Sequence, residues 1–306
     1  MTRSFLSFSD LSKQELNTIL EKSKSYKTKI KNHENISALG NKIVGLLFEK
    51  PSTRTRTSFE VAALRLGAQT VYLPSTELQL SRGEPIKDTA RILGGYLDAL
   101  IARVYAHDTI VQLSEYSKVP VINGLSGLEH PTQIVSDMLT ILEAKGKLEG
   151  LTLAFIGDGD NVCNSWLLGA ATTGMNMTVA CPKGYNPDHT ILEKAKKIAE
   201  KSRVELRIVQ DPKEAAKGAD ILYTDVWISM GEEKETAKRM KAFKGYQINS
   251  DLLKIAAKDA VVMHCLPAHR SLEITDEVIE GKQSIVWAQG ENKLYGATGI
   301  LGFFLK

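Results

Sequence analysis

The stretch Pro51-Ser52-Thr53-Arg54-Thr55-Arg56-Thr57-Ser58-Phe59-Glu60 packs hydroxyls and guanidinium groups between an apolar run and a helical pattern. The first backbone N–H groups of a helix have no intrahelical partners and carry the positive end of its dipole, so such a start attracts phosphate. Ser52, Thr53 and Thr55 add hydroxyl donors, and Arg54 can hold phosphate oxygens through two parallel bonds. The same pattern also suits a solvated, hydroxyl-capped helix start. The density of donors, two arginines among them, favours an anion site.

His130-Pro131-Thr132-Gln133 is a second polar knot at a helix start. There His130 could donate to a carbonyl oxygen and Gln133 could contact an amide, although a lone histidine is more often structural. Gly157-Asp158-Gly159 has the look of a dinucleotide fingerprint, but the third glycine is missing. The next strand ends in Val179-Ala180-Cys181, with no acid to hold a ribose, which counts against NAD. Asp158, Asn161 and Asn164 still fall where open α/β sheets bind ligands. Asp225-Val226-Trp227-Ile228-Ser229-Met230-Gly231 offers a carboxylate that can pair with a cationic amino acid, or that simply closes a strand-end turn. In His264-Cys265-Leu266-Pro267-Ala268-His269-Arg270 no third firm ligand stands at a zinc-like spacing, so no metal is expected. Cys265 reads either as a buried, inert thiol or as a partly exposed one near a cationic substrate.

These clusters need elements to hold them. Ser12-Lys13-Gln14-Glu15 is a capping box for a first helix, whose Leu16, Ile19 and Leu20 share a face. The short apolar runs 43–48, 71–73, 100–104 and 119–122 predict buried parallel strands, with helices through 62–66, 85–97 and 131–144. After the charged, glycine-bearing stretch Lys145–Gly150 the pattern restarts. Strands are expected at 151–156, 177–180, 204–209, 221–224 and 261–263, a helix through Trp166 and Ala170, and a last helix including 300–305. Strands alternating with helices imply βαβ units and parallel pairing. The reading is two α/β domains.

Composition agrees. The chain has 306 residues, 43% hydrophobic and 25% charged, which suits two ordinary globular domains of about 150 residues. A net charge of +3 without a basic block argues against nucleic acid. Three scattered cysteines make a disulfide framework improbable and fit a reducing compartment. No signal-like start and no run of about 18 apolar residues is present, so a cytoplasmic chain without membrane contact is expected.

Ser52-Thr53-Arg54-Thr55-Arg56 followed by His130-Pro131-Thr132-Gln133 resembles the aspartate/ornithine carbamoyltransferase family, in the right order and along essentially the whole chain. The resemblance implies an α/β fold of two doubly wound parallel-sheet domains joined by two interdomain helices. Residues 1–148 would bind carbamoyl phosphate, with the helix 290–306 packing back on them, and residues 149–289 would bind L-ornithine. Asp225-x-x-x-Ser229-Met230-Gly231 and His264-Cys265-Leu266-Pro267 resemble the ornithine branch, whereas the aspartate branch has an HPLPR-type segment. Charge agrees: ornithine brings an extra ammonium, which an aspartate and a thiol suit better than an arginine.

By the same resemblance Ser52, Thr53, Arg54 and Thr55 form the phosphate cradle, and Arg103, His130, Pro131, Thr132 and Gln133 surround the carbamoyl group. Gln79 belongs to a loop that reaches a neighbouring subunit's site. Asn161, Asp225, Ser229 and Met230 meet ornithine, and Cys265 and Leu266 lie between both substrates. Arg54, Arg103, His130, Asp225 and Cys265 form the catalytic set. The family has arginine in a Q-x-E-N-R segment, where this chain reads Gln289-Gly290-Glu291-Asn292-Lys293 and offers Lys293 to carbamoyl phosphate. The implied reaction gives L-citrulline and phosphate in arginine metabolism, with no metal or organic cofactor, in a homotrimer or a multiple of trimers. Rival readings are transfer to another amine such as putrescine, a non-catalytic anion-binding protein, and a dehydrogenase.

Overall fold

A computed structural model describes residues 2–229, 231 and 233–305. The chain divides into two compact units, one running to Leu139 and resuming at Glu291, the other Thr140–Gly290. The first unit holds α1 (Lys13–Lys31), β1 (Ile43–Phe48), α2 (Thr53–Arg65), β2 (Gln69–Pro74), α3 (Ile86–Tyr96), β3 (Ala99–Arg103), α4 (His107–Ser117) and β4 (Val121–Leu125). The chain leaves it within α5 (Pro131–Lys145). The second unit holds β5 (Thr152–Ile156), α6 (Asn161–Thr173), β6 (Asn176–Ala180), α7 (His189–Ser202), β7 (Leu206–Val209) and α8 (Pro212–Ala216). It continues through β8 (Ile221–Thr224), α9 (Thr236–Ala242), α10 (Ser250–Ile255), β9 (Val261–His264) and α11 (Asp276–Ile279). The return lies within α12 (Val286–Phe304). The expected fold holds: two parallel-sheet α/β domains joined by two helices.

Both sheets are parallel, in the orders β2-β1-β3-β4 and β7-β6-β5-β8-β9. Burial on both faces explains why inner strands such as β1, β3, β5 and β8 read as nearly unbroken apolar runs, whereas the edge strands β2 and β7 are only partly buried. In β1, five of the six residues are buried. One boundary moved for a clear reason: β4 starts at Val121, after Pro120, because proline has no N–H for the ladder.

Helix ends follow their caps. Ser12 and Glu15 form the expected capping box on α1. Apolar α6, with Trp166 fully buried, stops at Gly174, whose φ of 86° belongs to the left-handed region. On α12 two glycines allow close helix contacts. A Cβ at Gly296 would stand 2.2 Å from Ser136 Oγ, and one at Gly299 would stand 2.0 Å from Ser23 Oγ.

The winding of each sheet locates its site. From β1 the chain goes to β2 on one side and returns to β3 on the other, so the connections diverge between β1 and β3. Likewise they diverge between β5 and β8. Open α/β sheets bind ligands outside the carboxyl ends of their strands at such switch points.

Candidate active site

In the first unit, the segments after β1 and β4 and the end of β3 lie at the carboxyl edge of one sheet and carry the expected residues. Ser52 caps α2: its Oγ accepts the Thr55 N–H at 3.1 Å. Thr53 is exposed, and Arg54 is half-buried with no carboxylate partner among the described residues. Thr55 is buried, and its Oγ1 accepts from Arg103 Nη1 at 3.5 Å, which joins the β1 segment to the end of β3. Arg56 turns elsewhere. Its guanidinium lies 3.5 Å from the centre of the Tyr72 ring and pairs with Glu60 at 3.4 Å.

His130, Pro131, Thr132 and Gln133 are all buried at the start of α5. His130 Nδ1 lies 3.4 Å from Thr132 Oγ1. Burial first, then the nearby cations Lys293 and Arg103, hold the imidazole well below its usual pKa. A neutral imidazole keeps one N–H, which can donate to a carbonyl oxygen without carrying charge. Gln133 Nε2 donates to Asp137 Oδ1 at 2.8 Å, and its Oε1 accepts from Lys293 Nζ. Asp137 and Lys293 are both buried, so the amide bridges a buried carboxylate and a buried ammonium. A small cavity lined by Thr55, Ser58, Thr132, Ser136 and Lys293 brings the lysine beside Thr55. Gln79 stands apart, exposed on the turn Gln79–Arg82, with no side-chain hydrogen bond among the described residues.

The depressed His130 pKa has a stability consequence. Below about pH 6.5 the unfolded chain binds a proton there that the native state declines, so this residue makes the fold less stable as pH falls. His130→Gln should therefore narrow the drop in urea midpoint between about pH 7.5 and pH 5.5. An unchanged drop would contradict the assignment.

In the second unit the segments after β5, β8 and β9 carry the remaining candidates. Asp225 is half-buried, and its Oδ1 accepts the Val226 N–H at 2.7 Å. Ligand atoms of Asp225, His264 and Cys265 all lie within 4.8 Å of one another. The histidine, however, is already committed. Its Nδ1 accepts the Leu266 N–H at 2.8 Å, and its Nε2 donates to Glu273 Oε1 at 3.0 Å. Neither nitrogen keeps a lone pair for a metal. The bonds instead hold Leu266 at φ 58°, a left-handed conformation that a branched residue adopts only when its surroundings impose it. Cys265 is 8% exposed, nearer the buried reading than the exposed one, yet it sits beside the Asp225 carboxylate. Asn161 opens α6 and is nearly buried, and Ser229 Oγ donates to Asp160 Oδ2 at 3.3 Å. Met230 lies outside the described residues. Asp158 and Asn164 have structural partners: the first pairs with Arg239, and Asn164 Oδ1 accepts the Asp188 N–H at 3.0 Å.

Four supporting residues escaped the sequence reading. Asp137 stands four residues after Gln133, an i,i+4 pairing that was available as a signal. Glu273, nine residues after His264, follows no period. In the sequence His264 stands out only as a neighbour of the cysteine, and Arg239 sits in a lysine-rich stretch that reads as solvated.

Comparison with known proteins joins the two halves. The family description "Aspartate/ornithine carbamoyltransferase, carbamoyl-P binding domain" matches residues 3–143, and "Aspartate/ornithine carbamoyltransferase, Asp/Orn binding domain" matches residues 149–304. A Methanosarcina acetivorans protein named ornithine carbamoyltransferase is 52% identical over 301 residues, covering 98% of each chain. The structure of ornithine carbamoyltransferase from Pyrococcus furiosus superposes with a TM-score of 0.94 at 45% identity, covering 98% of this chain and 96% of that one. The structure of anabolic ornithine carbamoyltransferase from Campylobacter jejuni gives 0.93 at 41% identity, covering 99% of both.

Proposed function

The chain belongs to the aspartate/ornithine carbamoyltransferase family, and from that premise we propose that it transfers the carbamoyl group of carbamoyl phosphate to the δ-amine of L-ornithine, giving L-citrulline and phosphate. The observation that carries the choice of acceptor is the Asp225 carboxylate beside Cys265, a site for a cationic side chain rather than for a second carboxylate.

In this mechanism the α2 start and Arg54 hold the phosphate. Arg103 and neutral His130 donate to the carbamoyl oxygen and stabilise the charge it gains in the tetrahedral intermediate, which fixed donors do well in a water-poor site. The δ-amine resembles lysine, with a pKa near ~10.4, so freeing its lone pair at pH 7 costs roughly 4.6 kcal/mol. Asp225 and Cys265 orient the ammonium and ease that loss. The lone pair attacks the carbamoyl carbon, the C–O bond to phosphate breaks, and the departing phosphate takes up a proton. The steps balance without a metal or an organic cofactor. Asn161, Ser229 and Met230 hold the α-amino and α-carboxyl end of ornithine, and Leu266 packs between the substrates.

The reaction serves arginine biosynthesis, a direction supported by the anabolic Campylobacter jejuni relative. Three cysteines outside any disulfide support a reducing, cytoplasmic setting, and no helix among the described residues is long and apolar enough to cross a membrane. The working unit is a homotrimer, in which the exposed Gln79 turn completes a neighbour's site. Equimolar citrulline and phosphate from the purified chain, carbamoyl phosphate and ornithine would support the reaction. Phosphate release without citrulline would overturn it.

Lys293 replaces the family's rigid arginine fork with a flexible point charge, an exchange that is not conservative at a bidentate contact. Its buried position and its bond to Gln133 support a retained role at carbamoyl phosphate. Lys293→Ala should raise the KM for carbamoyl phosphate about tenfold or more, whereas Lys293→Arg should be tolerated. Unchanged kinetics in Lys293→Ala would mean that the contact has been abandoned.

A further inference from the structure

In the stretch Lys234–Lys241, Lys234, Lys238 and Lys241 are exposed, but Arg239 is only 6% exposed. Its Nη1 bonds the Asp158 carboxylate and also donates to the Trp227 carbonyl at 3.0 Å. The guanidinium carbon lies 5.1 Å from the centre of the Tyr185 ring, and Nε lies 3.6 Å from Glu235 Oε2. Asp158 stands two residues after the end of β5, while Trp227 lies between Asp225 and Ser229. One side chain on α9 therefore binds both strand-end segments of the amino-acid half. A second link runs parallel to it, from Ser229 Oγ to Asp160 Oδ2. The α9 pin and this hydroxyl bond hold residues 227–229 against residues 158–160 at two points. The ion pair lines a polar cavity of about 390 Å³ with Asp160, Lys183 and Tyr185.

We infer that Arg239 is a positioning residue for the acceptor amino acid: it fixes the 225–229 segment against the end of β5 and cancels the charge of Asp158. The inference rests on the ornithine reading above. Two physical effects follow from one guanidinium. The fork fixes where Asp225 and Ser229 stand, because a planar group with several donors can bind a carboxylate and a carbonyl together. Its positive charge also keeps Asp158 from competing with Asp225 for the substrate's ammonium groups. An uncompensated buried carboxylate there would draw the cation to the wrong place.

The test uses the whole enzyme with Arg239→Lys, Arg239→Gln, Asp158→Asn and the double variant Asp158→Asn/Arg239→Gln. KM is measured separately for ornithine and carbamoyl phosphate, alongside urea midpoints. Arg239→Lys and Arg239→Gln are expected to raise the ornithine KM about tenfold or more, with the carbamoyl phosphate KM moving less than about twofold. Asp158→Asn should also raise the ornithine KM, because it leaves a buried cation near a cationic substrate. The double variant should recover part of the loss, since it removes both stray charges. A folded Arg239 variant with unchanged ornithine KM, or with both constants rising together, would overturn the inference. If Arg239→Gln fails to fold, an unchanged ornithine KM in Asp158→Asn overturns it instead. Wild-type turnover is measured first, so failure of the ornithine reading would show there, before any variant is compared.

Discussion

Arg54→Ala is expected to lower kcat/KM by about 10³-fold while leaving the fold intact. Each hydrogen bond to a charged group is worth roughly 1.5–3 kcal/mol, so losing a two-pronged contact with phosphate removes roughly 3–6 kcal/mol. At about 1.4 kcal/mol per decade, that spans roughly 10² to 10⁴ in rate. Stability should barely change, because Arg54 is half-buried and has no carboxylate partner among the described residues. A shift in unfolding free energy within about 0.5 kcal/mol is therefore expected. Wild-type-like citrulline formation would remove Arg54 from the cradle. The same variant tests the shared site. Mixed with chains inactivated at the Gln79 turn, it should regain some activity, because some trimers then contain an intact composite site. Assembled hybrids that stay inactive would contradict the sharing.

The second large effect belongs to Asp225→Asn, which keeps the shape and removes the charge. The Val226 N–H can still donate to the asparagine oxygen, so the strand-end turn survives. On the proposed reading the lost partner is cationic ornithine, and the loss should fall both on its binding and on the orientation of its amine. A drop of about 10²-fold or more in kcat/KM for ornithine is expected, with carbamoyl phosphate binding unchanged by direct titration. Equal weakening of both ligands would make Asp225 a structural residue.

The fold was legible because most of its strands are buried on both faces, the edge strands β2 and β7 being only partly covered. Val44–Phe48 and Ile221–Thr224 are buried throughout, and their short, almost wholly apolar sequences mark them as strands. Helices such as α4 and α7 lie between those runs, where no unbroken apolar segment marks them. The proposed cradle stands out in the sequence for a related reason. Its donors are consecutive in sequence, so Ser52, Thr53, Arg54 and Thr55 announce themselves as a cluster.

The supports were not legible, because their partners meet only in the fold. Glu273 reaches His264 across a turn, and Arg239 reaches Asp158 across 81 residues of chain. Charge alone hides such residues: Arg239 differs from Lys238 in burial, which the lysine-rich stretch does not reveal. Gln133 shows the complementary limit. Its residue type suggested an amide contact, but only the structure shows both ends of its amide engaged by Asp137 and Lys293.

The most direct test of the central claim is kcat/KM for L-ornithine, putrescine, L-aspartate and N-acetylornithine, offered separately at saturating carbamoyl phosphate. On the proposed reading ornithine alone combines a free δ-ammonium for Asp225 with an α-amine and α-carboxylate for Asn161 and Ser229. It should exceed each of the others by about 10²-fold or more, since a site built around polar partners rejects analogues that leave those partners unpaired. Putrescine turnover equal to that of ornithine, or any preference for aspartate, would contradict the account.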